Sequence, residues 1–479
     1  MKPHYRIRKV KTASGSTAVQ VGRYIGKSFK LVFHVGSSKN EDKIIELFGI
    51  GQEFIRSHSN QLELNFNPQS EEILFKKGIK ITNSTLSEAY SYLSWVYNEL
   101  GFSVLKNDVL KHFVMIRVLE PASKIKSITL LKKYFGVNYK KTTVFRKLED
   151  LVKLKDKVVE IAIEYAKSNL NFDFSLVFYD VTTLYFETHK EDSFRRNGFS
   201  KDNKLNQPQI LIGLLVERTG FPVYWDIFQG NTFEGKTIIP VVHEIIKKYK
   251  IKNFTIVADA GMLSANNLEE IERNGLSFIV GARVGNLNLK ETQNVSDILG
   301  KKDGKTVRLN GIVFEYSQKR ASKDKTDNDK QIQKANYLFN HPGVIFKRSK
   351  FIKTEGKNLS LNEELIIKHR LLEGIKGYRT NINNLSNEIL ISRYKDLWHV
   401  EKAFRIAKTD LEARPVYHRK ETSIKYHILI VFVALCMAKI IEGKEKKSLE
   451  KVMDKLKNNW TITLSDKISG NTLRLQMET

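Results

Sequence analysis

Between Phe174 and Arg283 the chain runs through an order of elements that few architectures accommodate. "FSLVFYDVTTLYFE", Phe174 to Glu187, is rich in Val, Thr, Tyr and Phe and predicts a strand. "QILIGLLVE" (Gln209 to Glu217) predicts a second strand, and "VYWDIFQG" a third that closes at Gly230. The turn "RTGFP" between the last two is too short for a crossover, so the simplest pairing is an antiparallel meander. "KTIIPVVHEIIKKY" then reads as a helix and "NFTIVADA" as a fourth strand. "SANNLEEIERNG" reads as a helix capped by Ser264 and closed by Gly275, and "LSFIVGAR" as a fifth strand.

Three antiparallel strands, a helix, a parallel strand, a helix and a further strand make an α/β fold in the order of a ribonuclease-H-like core. The helix expected to close it is delayed by roughly ninety residues, far beyond an ordinary connection. The interval is read as an insertion, β-rich by virtue of the hairpin "TVRLNGIVFEYS" with Asn310-Gly311 at its turn. The charged "KRASKDKTDNDKQIQKA" adds one exposed helix or a flexible segment. The resulting division is a β-rich N-terminal module (1–75), a helical region (76–170), the core in two parts (171–283 and 373–445), the insertion (284–372) and a C-terminal tail (446–479).

The helical region carries Lys124, Lys126, Lys132, Lys133, Lys140, Lys141, Arg146 and Lys147 near its turns. A helix-turn-helix-like DNA reader and an ordinary bundle with a solvated basic face both fit that pattern. Over the whole chain Lys and Arg number 80 against 53 acids, a net charge of +27, which favours a polyanionic partner. An AT-rich coding sequence gives the same bias toward Lys, Asn and Ile. The single Cys436 excludes an intramolecular disulfide and suits a reducing cytoplasm. The basic start "MKPHYRIRKVKTASGS" has no apolar core behind it, unlike a secretory signal. "ILIVFVALCMAKII" (Ile428 to Ile441) is too short to span a bilayer and reads as a buried helix, so no membrane partner is expected.

Asp180 interrupts the first core strand. Aspartate is depleted in strands and costly to bury unless it is paired or bound to a metal. Asp259 ends the fourth strand before a small Ala-Gly turn, where α/β sheets build sites; capping that turn is its plainer use. Glu401 lies in "YKDLWHVEKAFRIAKTDLEARPVYHR", part of a long helical pattern from Ser386 through Leu411. On one helix, Tyr394, Glu401, Arg405 and Lys408 share a face, with Val400, Phe404 and Leu411 on a neighbouring apolar stripe. A solvated face with a Glu401–Arg405 pair is the plainer reading of that spacing. Converging, the three acids offer hard oxygen donors to divalent cations, and two such ions suffice for in-line attack on phosphate.

These segments resemble bacterial insertion-sequence transposases of the DDE class, in the group whose third acid lies in a Tyr-Arg-Glu-Lys signature. The similarity rests on "YDVTTLYFE", "GFSKDNKLNQPQILIGLLVERTGFPVYWDIFQGNTFEGKT", "VADAGMLSANNL", "VGAR", the Glu401 segment and "RVLEPASKIKS". It implies a ribonuclease-H-like catalytic core with a β-rich insertion. It also implies Asp180, Asp259 and Glu401 as catalytic metal ligands for two Mg2+ ions, with Mn2+ able to substitute. Tyr394 and Lys408 fall on the signature's Tyr and Lys, associated with holding DNA near the cut. The signature's Arg is Leu397 here, and Arg405, one turn beyond Glu401, is placed to supply the missing charge.

The function so implied is binding of terminal inverted repeats and metal-dependent strand cleavage and transfer into target DNA. The protein would act as a homodimer on double-stranded DNA in the bacterial cytoplasm, at the nucleoid. The alternative is a transposase-derived DNA-binding protein without chemistry, against which the presence of all three acids argues. A phosphatase of the aspartyl-phosphate type needs an acid where Thr182 stands, and a tyrosine-nucleophile recombinase would need no metal.

Overall fold

The structure, a computed structural model, describes residues 5–26, 28–58, 79–199, 206–251, 253–261, 264–341, 349–355, 358–414, 416–466 and 471–478. Parts of the expected N-terminal module (59–75), of the "GFSKDNKLNQPQ" run (200–205), and Met262, Leu263 and Pro415 lie outside the described residues. The chain divides into two compact units. Met1–Ser91, Leu130–Asn138 and Asp454–Thr479 form one, and Tyr92–Thr129 with Tyr139–Met453 the other.

The smaller unit holds an antiparallel sheet of β1 (Arg6–Lys11), β2 (Thr17–Ile25) and β3 (Ser28–Ser38), with the Glu41–His58 helix packed on β2 and β3. A second sheet joins β4 (Ile79–Thr85) to β15 (Asn459–Asp466) and β16 (Thr472–Glu478) in the order β16-β15-β4. The expected C-terminal tail is therefore corrected: residues 459–478 are a hairpin whose first strand pairs with β4. The alternating "TITLS" and "TLRLQM" suit strands, but their partner is far away in sequence.

The larger unit is built on an eight-stranded mixed sheet. Its strands are β5 (Val177–Tyr185), β6 (Gln209–Val216), β7 (Pro222–Gln229), β8 (Thr255–Ala258), β9 (Ser277–Ala282), β10 (Thr306–Leu309), β11 (Ile312–Tyr316) and β14 (Ile375–Thr380). The order is β10-β11-β14-β9-β8-β5-β6-β7. β5, β6 and β7 form the expected antiparallel meander, and β8 is parallel to both β5 and β9. This mixed α/β sheet is consistent with a ribonuclease-H-like core.

The Ile238–Tyr249 helix makes the crossover from β7 to β8. Tyr179 reaches across Gly213, where a Cβ would stand 2.3 Å from the phenolic oxygen, and donates to Thr237 Oγ1 at 2.9 Å. On the opposite face Trp225 stacks on Phe432 of the Glu421–Glu445 helix at 4.1 Å between centroids. By length and composition that helix could cross a membrane, yet its apolar stretch is buried inside the fold. It is longer than the fourteen-residue run read from the sequence, because Glu421 to His427 and Glu442 to Glu445 extend it at both ends.

The interval 284–372 departs from a β-rich insertion. Among its described residues are helices at Leu289–Leu299, Gln318–Asn340 and Glu363–Leu371, alongside the β10–β11 hairpin and a second hairpin of β12 (Ile352–Glu355) and β13 (Asn358–Leu361). The Asn310-Gly311 turn forms as expected, with φ of 51° and 74°. β11 then pairs with β14, so the hairpin extends the main sheet. Val295, Leu299, Phe314, Tyr316 and Ile375 share one apolar cluster, which binds the interval to the core. The helical region at 87–170 likewise follows no separate unit: most of it belongs to the larger one, and the Asp108–Leu119 helix is buried along nearly its whole length.

Phe432→Ala removes the ring under Trp225 and is expected to cost about 3–5 kcal/mol, the usual penalty for emptying a buried aromatic site. A urea titration followed by tryptophan fluorescence should show the midpoint fall accordingly.

Candidate functional site

β5 is buried along its length except at Asp180 and Tyr185, which are half-buried. Its pairing with β8 matches Val177 to Ile256 and Phe178 to Val257. Continued by two residues, that register sets Asp180 beside Asp259 on the same face, because side chains alternate along each strand. Asp259 is exposed, immediately beyond the end of β8. Each carboxylate accepts the N–H that follows it: Val181 N donates to Asp180 and Ala260 N to Asp259, both at 2.7 Å.

The segment carrying the third acid is not the single helix expected. Asn387–Lys395 forms one helix and Trp398–Arg405 another, followed by a π-turn over Ile406–Asp410. The break is a tight turn in which Leu397 N donates to Tyr394 O and Val400 N to Leu397 O, both at 3.1 Å. The buried Leu397 side chain anchors this turn. Leu411 N reaches back five residues to Ile406 O, so Lys408 follows an added residue and no longer continues the face of Glu401. The first helix packs on β8 and β9, the second on β5 and β6.

Tyr394 is brought to Asp259: its hydroxyl donates to Asp259 Oδ1 at 3.2 Å. Burial raises its pKa well above the ordinary tyrosine value, and the charge of Asp259, the hydrogen bond and the charge of Glu401 raise it further. Glu401 is exposed on the overlying helix, close enough for its charge to act on that phenol. Gly281 makes room for the ring, since a Cβ there would stand 2.8 Å from the Tyr394 oxygen. Arg405 is exposed and its charge acts on Asp410; Lys408 is half-buried within the π-turn.

Lys376 was missed in the sequence. Its ammonium lies 4.6 Å from the Tyr394 ring centroid and 5.4 Å from that of Tyr378. Burial and the charge of Arg320 lower its pKa, while Asp259 and Glu315 oppose the shift. Tyr378 packs edge-on against Tyr394 and donates to Glu315 Oε2 at 2.8 Å. The available signal was the alternation in "IKGYRT", which sets Lys376 and Tyr378 on one face of β14.

Among the described residues no three His, Cys, Asp or Glu side chains lie close enough together to hold a metal ion. The fit is one of donor chemistry: Asp180, Asp259 and Glu401 come from adjacent strands and the helix above them, and they offer only carboxylate oxygens, as hard divalent cations prefer.

Several residues outside this site serve the fold. Thr232 N donates to Gln229 O, closing a tight turn with Gly230 and Asn231 at its centre. His418 packs on Tyr426 and His427, and burial lowers its pKa to about 4. Cys436 is buried. Trp225 is a core residue, whereas Trp398 is 49% exposed and is not one.

Asp180 within β5, Asp259 just beyond β8 and Glu401 on the overlying helix form an arrangement suited to phosphoryl transfer on an α/β core. The family model described as "Transposase DDE domain" matches residues 171–437, and the chain belongs to that family. It is a DDE-type polynucleotidyl transferase, of a family that uses divalent metal ions. Among solved structures, the Mos1 transposase paired-end complex with left transposon end is similar over 50% of this chain and 77% of that one, at 9% identity. Its TM-score of 0.17 is too low to carry residues from one to the other. A comparison with curated proteins gives no match.

Tyr394→Phe keeps the ring and removes the donor to Asp259. Because the Tyr394 pKa is raised, subtracting the variant's ultraviolet pH titration from that of the wild type should show no ionisation near pH 10, where an ordinary tyrosine titrates.

Proposed function

We propose that this chain is the transposase of an insertion sequence: it binds the element's terminal inverted repeats, cuts at their ends and joins the 3′ ends to target DNA. The observation that supports the reading is the parallel β5–β8 register, Val177 opposite Ile256 and Phe178 opposite Val257, which if continued by two residues would bring Asp180 level with Asp259. Drawn together from the separate positions they occupy here, Asp180, Asp259 and Glu401 would hold magnesium ions, which when bound would activate the attacking water or 3′ hydroxyl and stabilise the leaving oxygen. Manganese would substitute, being equally suited to carboxylate oxygens.

The chain's own residues prepare that chemistry. Tyr394 remains protonated at neutral pH and donates to Asp259, which fixes one carboxylate at the strand end. Lys376, stacked over the same ring, and Lys408 in the π-turn supply positive charge for the phosphodiester backbone. With Leu397 buried in the turn, the charge of the signature's Arg would come from Arg405. Two ends must be held together for transposition, so the working form is a homodimer on DNA, acting at the nucleoid in the cytoplasm.

The test is cleavage of a labelled duplex carrying the element's own terminal repeat. Wild type should cut at the repeat boundary with magnesium and not with chelator. Asp180→Ala, Asp259→Ala and Glu401→Ala should bind the duplex with affinity within about threefold of wild type and lose at least a hundredfold in cutting, a typical scale for losing electrostatic stabilisation at such a site. Binding without cutting under any condition would favour a transposase-derived DNA-binding protein instead.

A further inference from the structure

No Asp or Glu occurs before Glu41, while the same forty residues carry nine Lys and Arg. The structure folds the described part of this acid-free stretch into the β1-β2-β3 sheet, whose two faces differ. One face is covered by the Glu41–His58 helix: the Cβ position of Gly51 meets Ile7, Val21 and Val35 at 3.2 to 3.4 Å, and Phe33 stacks on Phe54. On the other face Arg6 pairs with Gly22 and Arg8 with Gln20, and His34 lies opposite Gln20 on the far strand. Arg8 donates to Gln20 Oε1 at 3.0 and 3.1 Å, and its guanidinium lies 3.9 Å from the centroid of Phe29. Phe29 in turn lies over Gly22, whose Cβ would meet the ring at 2.5 Å, and packs edge-on against the exposed Tyr24.

We infer that this open face is a second DNA contact, separate from the catalytic acids, that docks in the major groove of duplex DNA and reads base edges there. The inference rests on the transposase reading above. Charge complementarity identifies the partner: a surface with Arg6, Arg8 and no nearby carboxylate from its own strands suits a polyanion. Geometry favours a duplex over a single strand. Three strands span about 10 Å at the usual strand spacing, within a major groove of about 12 Å. The Phe29 ring, the obvious stacking platform, is already occupied by Arg8 on one face and Tyr24 at its edge. What remains to meet base edges are the exposed Arg6 guanidinium and, once the Arg8–Gln20 hydrogen bonds are exchanged for DNA, the Arg8 guanidinium and Gln20 amide, groups that pair with guanine and adenine edges. The reading therefore shifts sequence recognition from the basic helices of residues 76–170 to this sheet.

The experiment uses the full chain, a labelled terminal-repeat duplex, a scrambled duplex of equal length and the repeat's single strands, titrated over a range of salt. Arg6→Ala/Arg8→Ala should weaken binding to the repeat roughly tenfold to a hundredfold and reduce the slope of log affinity against log salt by about 1 to 2, as expected for one or two lost phosphate or base contacts. Gln20→Ala should narrow the ratio between repeat and scrambled duplex while leaving the salt slope unchanged. Both variants should keep the wild-type circular dichroism spectrum and, at saturating protein, the wild-type cutting rate. If wild type binds and cuts the repeat but the variants match its affinity, slope and discrimination, the sheet is not the reader. A wild-type preference for single strands over duplex would also overturn the inference. Loss of cutting by wild type itself would instead strike at the transposase reading.

Discussion

The parallel pairing of β5 with β8 is the constraint on which the larger unit turns. Parallel neighbours cannot be joined by a tight turn, so the chain must leave the meander, cross by the Ile238–Tyr249 helix and return. Once it returns, a two-residue extension of the register is enough to set Asp180 and Asp259 side by side. Every other part of the candidate site is referred to that pair: Gly281 lacks a side chain so that Tyr394 can reach Asp259, and Lys376 and Tyr378 pack around the same ring. A one-residue slip would turn one acid to the opposite face, where Tyr179 already fills the space over Gly213.

Local pattern was sufficient for the elements that local chemistry dictates. The meander, the crossover helix, the Ser264-capped helix and the Asn310-Gly311 hairpin all follow from residues within a few positions of one another. The acids were recognisable as anomalies: Asp180 stands in an otherwise buried strand and Asp259 at the end of an apolar run. Pairings between distant segments were less accessible. The β10–β11 hairpin is legible in the sequence, but its attachment to β14 depends on a strand some sixty residues later, so local pattern alone gives only a β-rich insertion. The strand partner of β4 was invisible for the same reason.

The Glu401 segment shows a subtler limit. A 3.6-residue periodicity runs through the turn at Asp396 and Leu397 because that turn keeps the apolar side chains inward, and a single long helix is the natural inference. The π-turn adds one residue to a stretch whose composition is ordinary for a helix, so nothing in "IAKTD" announces it. Such widened turns recur at functional sites, and here the turn contains Lys408. Lys376 was overlooked for a different reason: its significance arises from the ring beneath it, and that ring belongs to a helix the sequence does not place there.

The hairpin at the C-terminal end bears on how the molecule is born. Thr82 of β4 donates to the carbonyl of Thr463 in β15, a bond between residues 381 positions apart. At about 5–20 residues per second, the ribosome needs on the order of tens of seconds to make the intervening chain. Throughout that interval β4 has an unsatisfied edge. The unit carrying the N-terminal sheet is thus completed only after the larger unit has emerged: a product broken off before β15 would carry the acids yet lack the strand that pairs with β4.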